Sequence, residues 1–324
     1  MSGSPRDCSE DLSKVLQEIL WRQWGALGVS AHGAVEERFV LDVEALMVAT
    51  FSNAPRDERL LRSSLEWLSA HGRLVSRSRI LRIGKAWADA AREHRVQVFA
   101  PETSARVNAF LESIGDQPLG FLGPTDEMGD VEHRGGRFPD ADGGNKRIRP
   151  LDGRWPGGGQ LLLRELFGVN ARAESLLYLL TRGSGSSLGI ARSTGHDQKS
   201  VYRMLEGWTR AGMVRKGGRG GGYRLAHPER WRGLFGVGDE LVLPDWSIVL
   251  RALCLAAVGL GSQPRADDPY LASSFLRDVL PTLEETGRLL GVVQPDLAGA
   301  GGAAAFEPAS EALLSIGAIL AGIQ

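Results

Sequence analysis

The sequence predicts a mainly α-helical chain that carries one small β-hairpin, on three observations. Apolar residues recur at helical spacing through most of its length, as in Leu12, Val15, Leu16, Ile19 and Leu20. Residues 123–159, dominated by Gly, Pro, Asp, Glu and Arg, follow neither a helical nor a strand period. A glycine-tipped basic run, MVRKGGRGGGYRL at 213–225, offers no side chains to bury at its tip and reads as a hairpin.

Taken in order, residues 10–122 form a helical N-terminal domain. Its second clear element carries Leu60, Leu61, Leu65 and Leu68, with Pro55 ahead of it and Gly72 after it as start and stop signals. Further helices are expected over 43–51, 77–93 and 102–114. Residues 123–159 read as a flexible linker. A structured unit over 160–236 opens with a helix at 171–181, with Leu176, Leu177, Leu179 and Leu180 apolar, then a break at GSGSS. LGIARSTG gives a second helix with Leu188, Ile190 and Ala191 inward, ended by Gly195. A third begins where Asp197 caps it, buries Val201, Met204, Leu205 and Trp208 at i, i+3, i+4 and i+7, and ends at Gly212. Residues 237–324 form a C-terminal helical region, with helices at 245–260, 269–290 and 308–321. Their apolar faces are expected to pack on the 160–236 unit or to pair two chains.

Composition narrows the function. The 324 residues are 43% hydrophobic and 24% charged, as in ordinary water-soluble domains. Net charge is −1, but residues 160–232 hold thirteen Arg and Lys against five Asp and Glu, which leaves the rest acidic. Cys8 and Cys254 form no CxxC pair and have no histidine at metal spacing, so neither a disulfide framework nor a metal is expected, and a reducing cytoplasm fits. The start of the chain lacks a signal-peptide pattern, and the apolar run 247–261 is short and carries Arg251, so no membrane span is expected. HExxH and the Gly-x-Ser-x-Gly elbow are absent, and GSGSSLG at 183–189 lacks the Lys-Ser/Thr of a phosphate loop. No catalytic residue and no cofactor is expected; the chain does not read as an enzyme.

The basic excess falls on the third helix and the hairpin. Opposite its buried stripe the helix presents Gln198, Lys199, Ser200, Tyr202 and Arg203, and the hairpin presents Arg215, Lys216, Arg219 and Arg224. Helix, turn, helix and basic hairpin in this order make a winged helix-turn-helix. The segment SLGIARSTGHDQKSVYRMLEGWTRAGMVRKGGRGGGYRL resembles the DNA-binding core of bacterial winged-helix regulators of the MarR and ArsR type. Asp197, Gln198, Val201, Tyr202, Arg203 and the RAGMV run stand where those regulators carry a cap, Gln, Val, an aromatic, Arg and xAGLV. The resemblance implies sequence-specific binding of double-stranded DNA and transcriptional regulation. A helix end with Gln and Arg can pair with adenine and guanine in a major groove, while the wing grips phosphates. A homodimer would read a palindrome with two such helices.

The competing reading of the same residues is a winged-helix interaction or scaffold subunit that binds no DNA. Two features of the N-terminal domain stay open. LLRSSLEWLSAHGRLVSRSRI echoes a helix, a turn and a basic strand, so Arg73, Arg77, Arg79, Arg82 and Lys85 belong either to a degenerate second DNA-binding unit or to a solvated helical surface. Trp21, Trp24, Trp67 and Trp87 either fill the core or line a pocket for a small-molecule effector.

Overall fold

The computed structural model describes residues 4–29, 38–122, 158–218, 222–235, 241–297 and 302–322. The chain is mainly helical. Helices α1 (Pro5–Ala26), α2 (Val43–Asn53), α3 (Glu58–His71), α4 (Arg77–Glu93) and α5 (Pro101–Ser113) come first. Next come α6 (Gly159–Phe167), α7 (Ala171–Arg182), strand β1 (Ser184–Gly185), α8 (Ser187–Thr194) and α9 (Gln198–Arg210). Strands β2 (Val214–Lys216) and β3 (Tyr223–Leu225) precede α10 (Pro228–Phe235), and α11 (Trp246–Gly259), α12 (Pro269–Val279), α13 (Glu284–Leu290) and α14 (Phe306–Ala321) complete the order. The expected linker at 123–159 lies outside the described residues except for its last two positions.

Local signals account for most helix ends. Ser4 starts α1, ahead of the expected residue 10, through a reciprocal cap: its hydroxyl accepts from the Asp7 N–H at 3.2 Å, and its own N–H donates to the Asp7 carboxylate at 2.9 Å. Asp42, Asp57, Ser76 and Asn170 cap α2, α3, α4 and α7 in the simpler way. The expected 269–290 helix is split into α12 and α13, because Pro281 cannot supply the N–H that would continue it.

Two hydrophobic cores organise these elements, and the larger joins the two ends of the chain. α11 lies against both α1 and α2, and α14 lies along α1. The apolar faces of 245–321 were expected to pack on the 160–236 unit or to pair two chains; within the chain α11 packs on α1 and α2, α14 packs on α1, and α12 packs on α11 and α14. Leu250, Leu253, Leu313 and Ile316 are fully buried there with Leu12 and Ile19. α2 is buried on every side, being walled in by α1, α4 and α11. Residues 302–321 are long and apolar enough to cross a membrane by length and composition, though half of that window is buried in this core.

Tryptophans of the N-terminal helices fill space in the larger core. Trp24, Trp67 and Trp87 are buried, Trp24 and Trp67 meet edge to face at 5.5 Å, and their indole N–H groups donate to the Thr50 hydroxyl and the Leu27 carbonyl. The basic strand echoed around residue 77 is the start of α4. Arg77 is buried against the Asp116 carboxylate and the carbonyls of Gln117 and Pro118, and Arg79 is buried between Asp42 and Glu44. Neither is available to a nucleic acid.

Arg79 belongs to a buried ionic cluster that joins this body to the 158–235 unit. Arg164 of α6, fully buried, donates to both Glu44 oxygens at 2.6 and 2.9 Å, to Glu174 at 2.7 Å and to the Leu74 carbonyl at 2.8 Å. Every charge therefore has opposite charge and hydrogen bonds around it, the condition under which ions survive in a low dielectric. Burial alone would raise the Glu44 pKa, but Arg164, Arg79 and the Ser76 N–H hold it down to about 2. The stability this carboxylate supplies is thus complete above its ordinary value of 4.5 and is lost as pH falls toward 2. Denaturant titrations at about pH 7 and about pH 3 should show a steep decline in the native chain and a shallower one in Glu44→Gln, which starts less stable.

Candidate functional site

The 158–235 unit packs its own core from α6, α7, α8, α9 and the sheet, whose strand order is β1-β3-β2, all antiparallel. Ser186 caps α8 through the Gly189 N–H at 3.0 Å, and Gly195, with φ +72°, turns the chain out of it. Asp197 then caps α9, accepting from the Ser200 N–H at 2.8 Å and the Ser200 hydroxyl at 3.1 Å, and these bonds hold its carboxyl below the usual range. Val201 and Leu205 are fully buried, while Met204 and Trp208 are only partly covered at the edge of the stripe.

Gln198, Lys199, Tyr202 and Arg203 are exposed along the first two turns of α9. Ser200 is exposed too, but its hydroxyl is spent on the cap. Tyr202 is 44% exposed and stands clear of the core, with the Lys216 ammonium 5.6 Å from its ring centroid.

The hairpin cations divide between two faces. Arg215 and Arg224 are cross-strand partners, so both point to the outer face, exposed and side by side. Like charges directly opposite on a ladder repel, and an anion set between them would relieve this. Lys216 pairs with Tyr223 and faces α9. Its ammonium donates to Glu206 at 2.8 Å, and Tyr223 donates to the same carboxylate at 2.6 Å. The Glu206 bond holds the Lys216 pKa up, and the Lys216 and Tyr223 bonds hold the Glu206 pKa down. Lys216 was expected to meet phosphate; its half-exposed side chain also pairs with Glu206 and so ties the hairpin to α9. Arg219 at the tip lies outside the described residues.

Strand β1 was not expected from the sequence, where GSGSS reads as a break. It lies beside β3 through Ser184 opposite Arg224 and Gly185 opposite Tyr223. The approach is close: a Cβ on Gly222 would stand 2.7 Å from the Gly185 backbone, so only glycine fits there.

Two further groups meet at the turn into α9. The Gly195 carbonyl accepts from the Arg82 guanidinium of α4. Burial lowers the pKa of His196, the Glu174 carboxylate opposes this, and Arg82, Arg79 and Arg164 push it the same way as burial. The imidazole is therefore neutral at pH 7. Neither cysteine is poised for chemistry, since burial pushes both thiols up to about 12. Among the described residues no three His, Cys, Asp or Glu side chains are grouped to hold a metal ion. No protein-family model, curated protein or solved structure matches this chain.

Proposed function

We propose that the 158–235 unit is a winged helix-turn-helix that binds double-stranded DNA, with α9 entering the major groove, and that the chain is a transcriptional regulator. One observation carries the reading. The start of α9 is a rigidly capped helix end whose outward residues, Gln198, Lys199 and Arg203, are all exposed and able to pair with base edges or phosphates. Among the described residues Gln198, Lys199 and Arg203 are exposed and take no part in the buried stripe of Val201 and Leu205. The outward pair Arg215 and Arg224 supplies a second, sequence-independent contact with phosphates. Tyr202, exposed beside Lys216, fits a backbone contact better than a base contact.

Gel-shift titrations on duplexes chosen by site selection, repeated over a salt series, test this. Gln198→Ala or Arg203→Ala should cost about 1–3 kcal/mol on the selected site and much less on a scrambled duplex. Arg215→Ala with Arg224→Ala should weaken both duplexes alike and lower the salt slope by about one unit per lost phosphate. Absence of duplex binding by the native chain at low salt would instead favour a winged-helix interaction subunit.

A further inference from the structure

We infer that the helical body, through Arg82 of α4, supplies a phosphate contact flanking α9, so that the DNA surface runs across the joint and beyond the winged-helix unit. The inference rests on the DNA-binding reading above. Arg82 is an exposed residue whose guanidinium donates to the carbonyl of Gly195. Gly195 is three residues before Gln198, the first residue of α9, so their Cα atoms are at most about 11 Å apart. A major groove is about 12 Å wide. A cation held at the Gly195 carbonyl is therefore within about one groove width of the start of α9, in reach of the phosphates that border the groove.

Three details favour this role over an ordinary surface charge. Among the described residues no carboxylate forms an ion pair with Arg82, unlike Arg77, Arg79 and Arg92 on the same helix. Its only described hydrogen bond leaves the remaining guanidinium donors for another acceptor. Its position is also fixed in advance: Arg79, one turn earlier, is locked to Asp42 and Glu44, and Glu44 is locked to Arg164 in the winged-helix unit. A contact fixed before binding loses little freedom on binding. Lys85, exposed nearly one turn further along α4, continues the same positive edge.

The test is a salt-dependent titration of the full chain on one duplex. Arg82→Gln removes the charge and keeps a donor for the Gly195 carbonyl; it should lower the slope of log affinity against log salt by about one unit and weaken binding roughly five- to tenfold at about 0.1 M salt. Arg82→Lys should keep most of the affinity and the full slope. Arg92→Gln, with the same change in net charge but about 15 Å further along α4, should behave as the native chain does. An unchanged slope in Arg82→Gln would overturn the inference while leaving the DNA-binding reading intact. Equal losses in Arg82→Lys and Arg82→Gln would also overturn it, making Arg82 a brace for the turn. Failure of the native chain to bind any duplex would remove the parent reading itself.

Discussion

Replacing Arg164 with Ala is expected to destabilise the protein by about 3–5 kcal/mol, because it leaves the buried Glu174 without an ion-pair partner and takes from Glu44 one of its two. Glu44 is fully buried and Glu174 nearly so, and each now relies on the Arg164 guanidinium. The two do not suffer equally. Glu44 keeps Arg79 and the Ser76 N–H, whereas the hydrogen bond left to Glu174 among the described residues is the 3.3 Å one from Gln160. Arg164→Met combined with Glu174→Met should therefore recover much of the loss, since removing both partners of a buried pair is far milder than removing one. Guanidinium unfolding of the single and double variants measures the difference. A single variant as stable as the native chain would mean the cluster is solvated and the joint is not held by it. Because the cluster joins the body to the 158–235 unit, the Ala variant should also separate one unfolding transition into two.

Trp246→Ala is expected to cost a similar 3–5 kcal/mol, for different reasons. The indole is fully buried, meets Phe39 edge to face at 6.3 Å and donates to the Val40 carbonyl at 2.7 Å. The cavity accounts for most of the loss, and a buried carbonyl deprived of its donor adds to it. Trp246→Phe keeps most of the volume but not the donor, so it should fall between the two. Thermal melts rank the three proteins. A native-like melting temperature for Trp246→Ala would show that the segment around Phe39 closes over the gap.

How far these features could be read from sequence depends on the range of the interaction that makes them. α9 was legible because everything that defines it is local: a cap at Asp197, an apolar stripe, and Gly212 at the far end. Its outward residues followed from the same periodicity. β1 was illegible, because two residues of Ser and Gly become a strand only through β3, some forty residues on. Arg77 and Arg79 read as surface charge, either of a second DNA-binding unit or of a solvated helix, since the carboxylates that make their burial tolerable lie 35 to 39 residues away in the chain. The pairing of Lys216 with Glu206 was illegible for the same reason at shorter range, as the alternation of β2 turns Lys216 toward that carboxylate. The apolar faces of α11 and α14 announced that something covers them, and periodicity says nothing about what.

The partnership of α1 with α11 and α14 bears on how the chain is made. Synthesis releases α1 and α2 first, yet the surfaces that shield them arrive roughly two hundred to three hundred residues later. Residues 158–235, whose core draws almost wholly on neighbouring elements, can condense while the ribosome is still producing α11. Until α11 and α14 emerge, the apolar face of α1 that carries Leu12, Leu16 and Ile19 lacks its native cover, and during this interval the nascent polypeptide is exposed to aggregation.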